Sequence, residues 1–123
     1  MDEMSLKNYA YLGDAVWELF VREKTILQTQ KSMELHKITT EKVNAKAQSD
    51  LLIKIQDGLT EDELEIMRRS RNLSVPIARK SNQSEYRMAT AFEALIGWWY
   101  LNDKERLEII LNKVELLSIF DKN

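Results

Sequence analysis

A chain of 123 residues suits one domain, long enough to bury a core but too short for a catalytic domain plus a separate substrate-binding module. It has no cysteine, which excludes a disulfide framework and a thiolate metal site, and 18 basic against 20 acidic residues leave a net charge of −2, mildly adverse to nucleic-acid binding. The first seven residues include Asp2 and Glu3 and no apolar run of signal-peptide length, and the longest uncharged stretch, 94–102, is far too short to span a bilayer, so a cytoplasmic protein without membrane segments is expected.

Three glycines and one proline, with apolar residues recurring at three- and four-residue steps, indicate an all-α chain. The first helix is expected over about 6–27, with Tyr9, Leu12, Val16, Leu19 and Phe20 as its apolar stripe. The second covers about 33–56, with Val43, Ala47, Leu51 and Leu52 inward and Gly58 as its stop. The third begins at Thr60, whose hydroxyl pairs with Glu63 in a capping-box pattern, and ends near Asn72. The longest loop, 73–84, contains Pro76 and clustered Ser and Asn. It lies in a basic stretch, since between 68 and 87 stand Arg68, Arg69, Arg71, Arg79, Lys80 and Arg87 against Glu85 alone. The fourth helix, about 85–101, is expected to bury Ala89, Phe92, Ile96, Trp99 and Tyr100; the fifth, about 104–120, carries Leu107, Ile110, Leu111, Val114 and Leu117 at helical spacing. No repeat or linker interrupts these elements, so residues 1–123 are expected to form a single domain.

Two segments share a physical design: Tyr11-Leu12-Gly13-Asp14-Ala15-Val16 in the first helix and Phe92-Glu93-Ala94-Leu95-Ile96-Gly97 in the fourth each set an acid beside a glycine. A glycine inside a helix costs roughly 1 kcal/mol relative to alanine, so one retained there usually serves a close backbone approach. If the helices cross at their glycines, Asp14 and Glu93 meet, and the repulsion and desolvation of two carboxylates calls for a cation. Magnesium suits such a pair, because it prefers oxygen donors and commonly takes only one or two carboxylates. The alternative is that both acids are exposed helix residues, with Asp14 paired to Arg22 or another surface base.

The string Tyr9-Ala10-Tyr11-Leu12-Gly13-Asp14-Ala15-Val16 resembles the signature helix of the ribonuclease III family, and Thr90-Ala91-Phe92-Glu93-Ala94-Leu95-Ile96-Gly97 resembles its second acidic helix. Leu35-His36-Lys37, Val43, Ala45-Lys46, Gln48, Arg69, Arg71-Asn72 and Tyr86-Arg87 resemble the miniature branch, Mini-ribonuclease III, which consists of the catalytic domain without the double-stranded RNA-binding domain. The resemblance implies a helical homodimer with an RNA-binding valley, hydrolysing both strands of double-stranded RNA with Mg2+ to leave 5′ phosphates, with Asp14 and Glu93 as catalytic and metal-holding residues. It also suggests precursor large-subunit ribosomal RNA as the substrate, with a ribosomal protein helping to present it, since a domain of net negative charge grips RNA weakly. Full-size family members carry further acids at the positions held here by Lys7, Ala10 and Thr90, a thinner acidic set that the miniature branch shares. A catalytically silent RNA-binding or scaffold protein of the same fold is the alternative.

Duplex RNA presents phosphates and a shallow minor groove, which calls for spaced basic and hydrogen-bonding side chains. Lys46, Arg71, Asn72, Lys80, Tyr86 and Arg87 are the candidates. Lys46 and Gln48 stand two apart on a helix and cannot share a face, and of these two Lys46 is taken to meet RNA. His36, the only histidine, is read as structural or RNA-facing rather than as an acid or base. Trp17, Trp98 and Trp99 are read as core or dimer packing, because bases in an intact duplex are not available for stacking.

Overall fold

A computed structural model of the chain describes residues 3–73, 83–117 and 119–120, and among these there is no strand. The described elements are α1 (Glu3–Thr25), α2 (Ser32–Val43), α3 (Ala45–Ile55), α4 (Glu61–Arg71), α5 (Gln83–Asn102) and α6 (Lys104–Leu116), with a 3-10 turn over Gln56–Gly58 between α3 and α4. Most of the expected loop, with Pro76, Arg79 and Lys80, lies outside the described residues. No helix among the described residues is long and apolar enough to cross a membrane.

The single helix expected over 33–56 is two helices. Asn44 adopts an extended conformation (φ −72°, ψ 166°), closes α2 through its backbone N–H on the Thr40 carbonyl, and accepts at its side-chain oxygen from the Ala47 amide at 2.8 Å. A short polar side chain that can satisfy an orphan amide offers the backbone a stable alternative to continuing the helix. The break re-aims α3, so that Gln48, Ser49, Leu51, Leu52 and Ile55 are all buried.

Helix α5 is the centre of the domain and packs against α1, α3 and α4. It is therefore buried nearly all round, through Ala89, Ala91, Phe92, Ala94, Leu95, Ile96, Gly97 and Trp99. Tyr100, expected inside, is 38 % exposed. On α1 the buried residues among those described are Leu6, Ala10, Gly13, Trp17, Val21 and Thr25. The stripe read from the sequence is thus displaced: Tyr9, Leu12, Val16 and Phe20 are half-buried flanks and Leu19 is 61 % exposed. The reason is steric, since α5 approaches α1 along the row that contains the glycine. A Cβ on Gly13 would collide with the backbone carbonyl of Glu93, and one on Gly97 with that of Tyr9. Above the crossing, Trp17 meets Phe92 edge-on with ring centroids 5.1 Å apart, and its indole N–H donates to the Lys42 carbonyl at 3.1 Å, tying α2 to this core. Helix α6 covers one side with Leu107, Ile110 and Val114, while Leu117 is exposed.

The capping box expected at Thr60 is present: the Thr60 hydroxyl accepts from the Glu63 amide and the Glu63 carboxylate accepts from the Thr60 amide at 2.9 Å. The same carboxylate, only 6 % exposed, also accepts from Trp99 Nε1 at 2.8 Å and from Arg106 Nε at 2.8 Å, joining α4, α5 and α6. Burial by itself would raise its pKa, but Arg106, the Thr60 amide and Trp99 outweigh burial and hold it near 2, against 4.5 for a free glutamate. A depressed carboxylate pKa contributes stability that is present above pH 4.5 and is lost as the pH falls from there towards about 2. Glu63→Gln, which sets an amide against these donors, is expected to cost on the order of 3 kcal/mol in urea unfolding at neutral pH. The gap to the wild type should close as the pH approaches about 2. An unchanged midpoint at neutral pH would contradict this account.

Candidate active site

Asp14 and Glu93 meet where α1 and α5 cross. Gly13 and Gly97 let the two backbones touch, and this brings the residue after Gly13 to the residue four before Gly97. The two carboxyls come within hydrogen-bonding reach of each other at a cleft of about 370 Å³. Asp14 is on the exposed side of the cleft and Glu93 is half-buried. Burial, then the charge of Asp14 and the hydrogen bond with it, push Glu93 up to about 8, against a smaller lowering by Gln48. Arg22 takes no part, since it pairs with Glu18 at 3.0 Å.

The cleft is lined by two matching rows. Lys7, Tyr11 and Asp14 stand at steps of four and three along α1, and Tyr86, Thr90 and Glu93 stand at the same steps along α5. Ala10, Ser70, Leu73 and Arg87 complete the lining. Each row is one face of a helix, so the spacing from each acid back towards the N-terminus was a usable signal for Lys7, Tyr11 and Thr90 as cleft residues. Gln48 and Ser70 come from other helices; Gln48 belongs to the resemblance to the miniature branch, where Lys46 rather than Gln48 is expected to act, and no local pattern marks Ser70. Gln48 Nε2 donates to Glu93 Oε2 at 3.4 Å.

The expected RNA-facing residues are distributed unevenly. Tyr86 and Arg87 line the cleft, and Arg87 also donates to the carbonyls of Arg71 and Leu73 at 3.0 and 3.1 Å, which fastens α5 to the end of α4. Arg71 and Asn72 form that end, with Asn72 exposed. Lys46 is exposed on α3, paired with Asp50 at 3.1 Å, and does not line the cleft. Lys80 lies outside the described residues. His36 is exposed and borders a separate hollow with Arg22, Thr25 and Thr39.

The donors at the crossing fit a hard divalent cation: they are oxygen-only, they include two carboxyls close enough to raise the pKa of Glu93, and the cleft leaves space for water and phosphate oxygens. Among the described residues no group of three or more His, Cys, Asp or Glu gathers elsewhere as an alternative metal centre.

Fold and cleft together define a class of compact all-α domain in which acids on two crossing helices share one cleft. The family model described as Ribonuclease III domain matches residues 7–104. The chain is 43% identical over 109 residues to Mini-ribonuclease 3 of Gloeobacter violaceus, covering 89% of this chain and 81% of the relative. It is 46% identical over 94 residues to a Mini-ribonuclease 3-like protein of Ilyobacter polytropus, covering 76% and 74%. A crystal structure of a protein from Fusobacterium nucleatum superposes with a TM-score of 0.80 at 36% identity, covering 92% of this chain and 93% of that one. The chain belongs to the ribonuclease III family, in its Mini-ribonuclease III branch, and is an endoribonuclease.

Proposed function

We propose that the protein is a magnesium-dependent endonuclease of double-stranded RNA that works as a cytoplasmic homodimer and matures precursor large-subunit ribosomal RNA. The observation that carries this reading is the convergence of Asp14 and Glu93, 79 positions apart in the chain, on one cleft at the glycine crossing. Magnesium, held by Asp14 and Glu93, would neutralise charge on a non-bridging phosphate oxygen and lower the pKa of a water. In the hydrolysis the water oxygen bonds to phosphorus and the bond from phosphorus to O3′ breaks, leaving a 5′ phosphate on one fragment and a 3′ hydroxyl on the other. Through the ion they would hold, Asp14 and Glu93 would fix the reacting phosphate relative to the cleft. Lys7, Tyr86 and Arg87, from the cleft lining, offer positive charge and a hydroxyl to the backbone beside it. Arg71, Asn72 and Lys46 extend the donors across neighbouring helices, and Lys80 joins them on sequence grounds.

Trp17 and Trp99 are fully buried and offer no base-stacking surface, in keeping with a duplex substrate whose bases are already stacked. The dimer is supported by Tyr11, Ala15 and Leu19, which stand at four-residue steps on α1 and are all exposed, and by Leu101 on α5, 62 % exposed. Tyr11 belongs to this strip and to the cleft lining, so a partner seated there would border the cleft. The net charge of −2 favours help from a ribosomal protein in gripping the precursor.

Purified protein with magnesium should cut a long RNA duplex at low salt into fragments bearing 5′ phosphates, stop on chelation, and lose at least ~10³-fold in rate on Asp14→Asn. Binding without cleavage would favour a scaffold, and neither binding nor cleavage would end the RNA reading. A sedimenting mass of one chain at working concentration would remove the dimer. Equal cutting of naked and protein-bound precursor would remove the accessory protein.

A further inference from the structure

We infer that Gln48 is a positioning residue of this site: its side-chain amide holds one oxygen of Glu93 and leaves the other, with Asp14, for a divalent cation. The inference rests on the nuclease reading for its purpose, though not for its measurement. Gln48 is 2 % exposed and sits on the inner face of α3 beside Leu51 and Leu52. Burying a primary amide among such neighbours is unfavourable unless its hydrogen bonds are needed, so an apolar side chain would pack there at lower cost. The contact that compensates is the one to Glu93, 45 residues away, at 3.4 Å. Its length leaves the carboxylate room to adjust when a cation is bound.

The neutrality of the amide matters as much as its position. A lysine or arginine at the same place would cancel the carboxylate charge and satisfy the pair without any cation. An amide donates a hydrogen bond and cancels nothing, so Glu93 is oriented while the pair stays anionic enough to attract a metal. The residue two positions earlier, Lys46, is directed to solvent and paired with Asp50, which keeps its charge out of the site.

The test is calorimetric titration of Mn2+ into the full, metal-stripped chain without RNA, for the wild type, Gln48→Leu and Gln48→Asn. Leucine removes the donor, whereas asparagine keeps a buried amide but draws it back by one methylene, so the second variant separates reach from polarity and guards against a leucine variant that fails to fold. Both are expected to weaken Mn2+ binding about 10-fold or more and to raise the magnesium needed for half-maximal cleavage by a similar factor, with KM for the duplex unchanged. A purely structural role would lower thermal stability without moving the Mn2+ affinity. Affinities within about twofold of wild type in both variants would overturn the inference. Wild-type protein that binds Mn2+ yet leaves duplexes intact would sink the nuclease reading, while a weakened titration in the variants would still uphold Gln48; a wild type that takes up no Mn2+ would overturn both.

Discussion

Glu93→Gln is expected to abolish duplex cleavage and, in the same protein, to raise the melting temperature of the metal-free form. The two effects have one cause. The folded chain buries the Glu93 carboxyl beside Asp14 and raises its pKa from 4.5 to about 8. A raised carboxylate pKa means that the folded state binds the proton more tightly than the unfolded state does, so metal-free stability falls as the pH rises from 4.5 to about 8. Glutamine has nearly the same shape and no charge to desolvate. Its carbonyl can accept from Gln48 and its amide can donate to Asp14, so neither neighbour is left unpaired.

The stability gained should be on the order of 2 kcal/mol at pH near 8 in a chelator, which is roughly 5–10 °C for a domain of this size. It should shrink towards nothing as the pH falls below 4.5, where the wild-type carboxyl becomes protonated in the unfolded state as well as the folded one. Magnesium should close the gap from the other side, because it stabilises only the folded wild type. Cleavage should drop at least ~10³-fold, while duplex binding at low salt persists on the remaining cationic groups. Thermal melts with and without magnesium across this pH range would check it. A variant less stable than wild type in chelator at pH 8 would show that the two acids are not in conflict. The gain from removing a functional charge is the expected sign for a site that trades stability for chemistry.

The second large effect is expected from a methyl group. Gly97→Ala should cost more than about 4 kcal/mol and leave most of the chain insoluble or without a cooperative unfolding transition. In an ordinary helix interior the same change stabilises by roughly 1 kcal/mol, so even the sign is diagnostic. Here the new Cβ would fall on the Tyr9 carbonyl, which is backbone and cannot rotate aside. The helices would have to separate, and the packing of Trp17 against Phe92 would open with them. Gly13→Ala should behave alike, since its Cβ would meet the Glu93 carbonyl. Gly58→Ala is the control: its Cβ would meet only the ammonium of Lys113, 2.8 Å away at the end of a flexible side chain, and the change should cost less than about 1 kcal/mol. Urea titrations of the three variants would check the ranking, and equal losses at Gly58 and Gly97 would contradict it.

Much of the local architecture was legible in the chain itself. The all-α class, the Thr60–Glu63 capping box and the inward face of α6 at Leu107, Ile110 and Val114 follow from helical periodicity and from residue chemistry within a few positions. The pairing of Gly13 with Gly97 was foreshadowed too, because a helix rarely keeps a glycine without a close neighbour. Reading failed where a local preference competed with another of similar strength. The apolar pattern runs through 33–56, yet Asn44 interrupts it, because a capping side chain can replace the bonds that a continuous helix would supply.

What the sequence by itself determined is therefore the helical class, most of the helix bounds and the two segments that set an acid beside a glycine, since these depend on residues close along the chain; that the segments cross followed only because glycine permits so close an approach. Tertiary structure alone decided which flank of α1 is covered, that Glu63 serves Trp99 and Arg106 as well as its own cap, and that Gln48 rather than Lys46 reaches Glu93. The physical reason is the same in each case. A side chain's partner across 36 to 45 residues is set by how whole helices pack, and no short window of sequence contains that information.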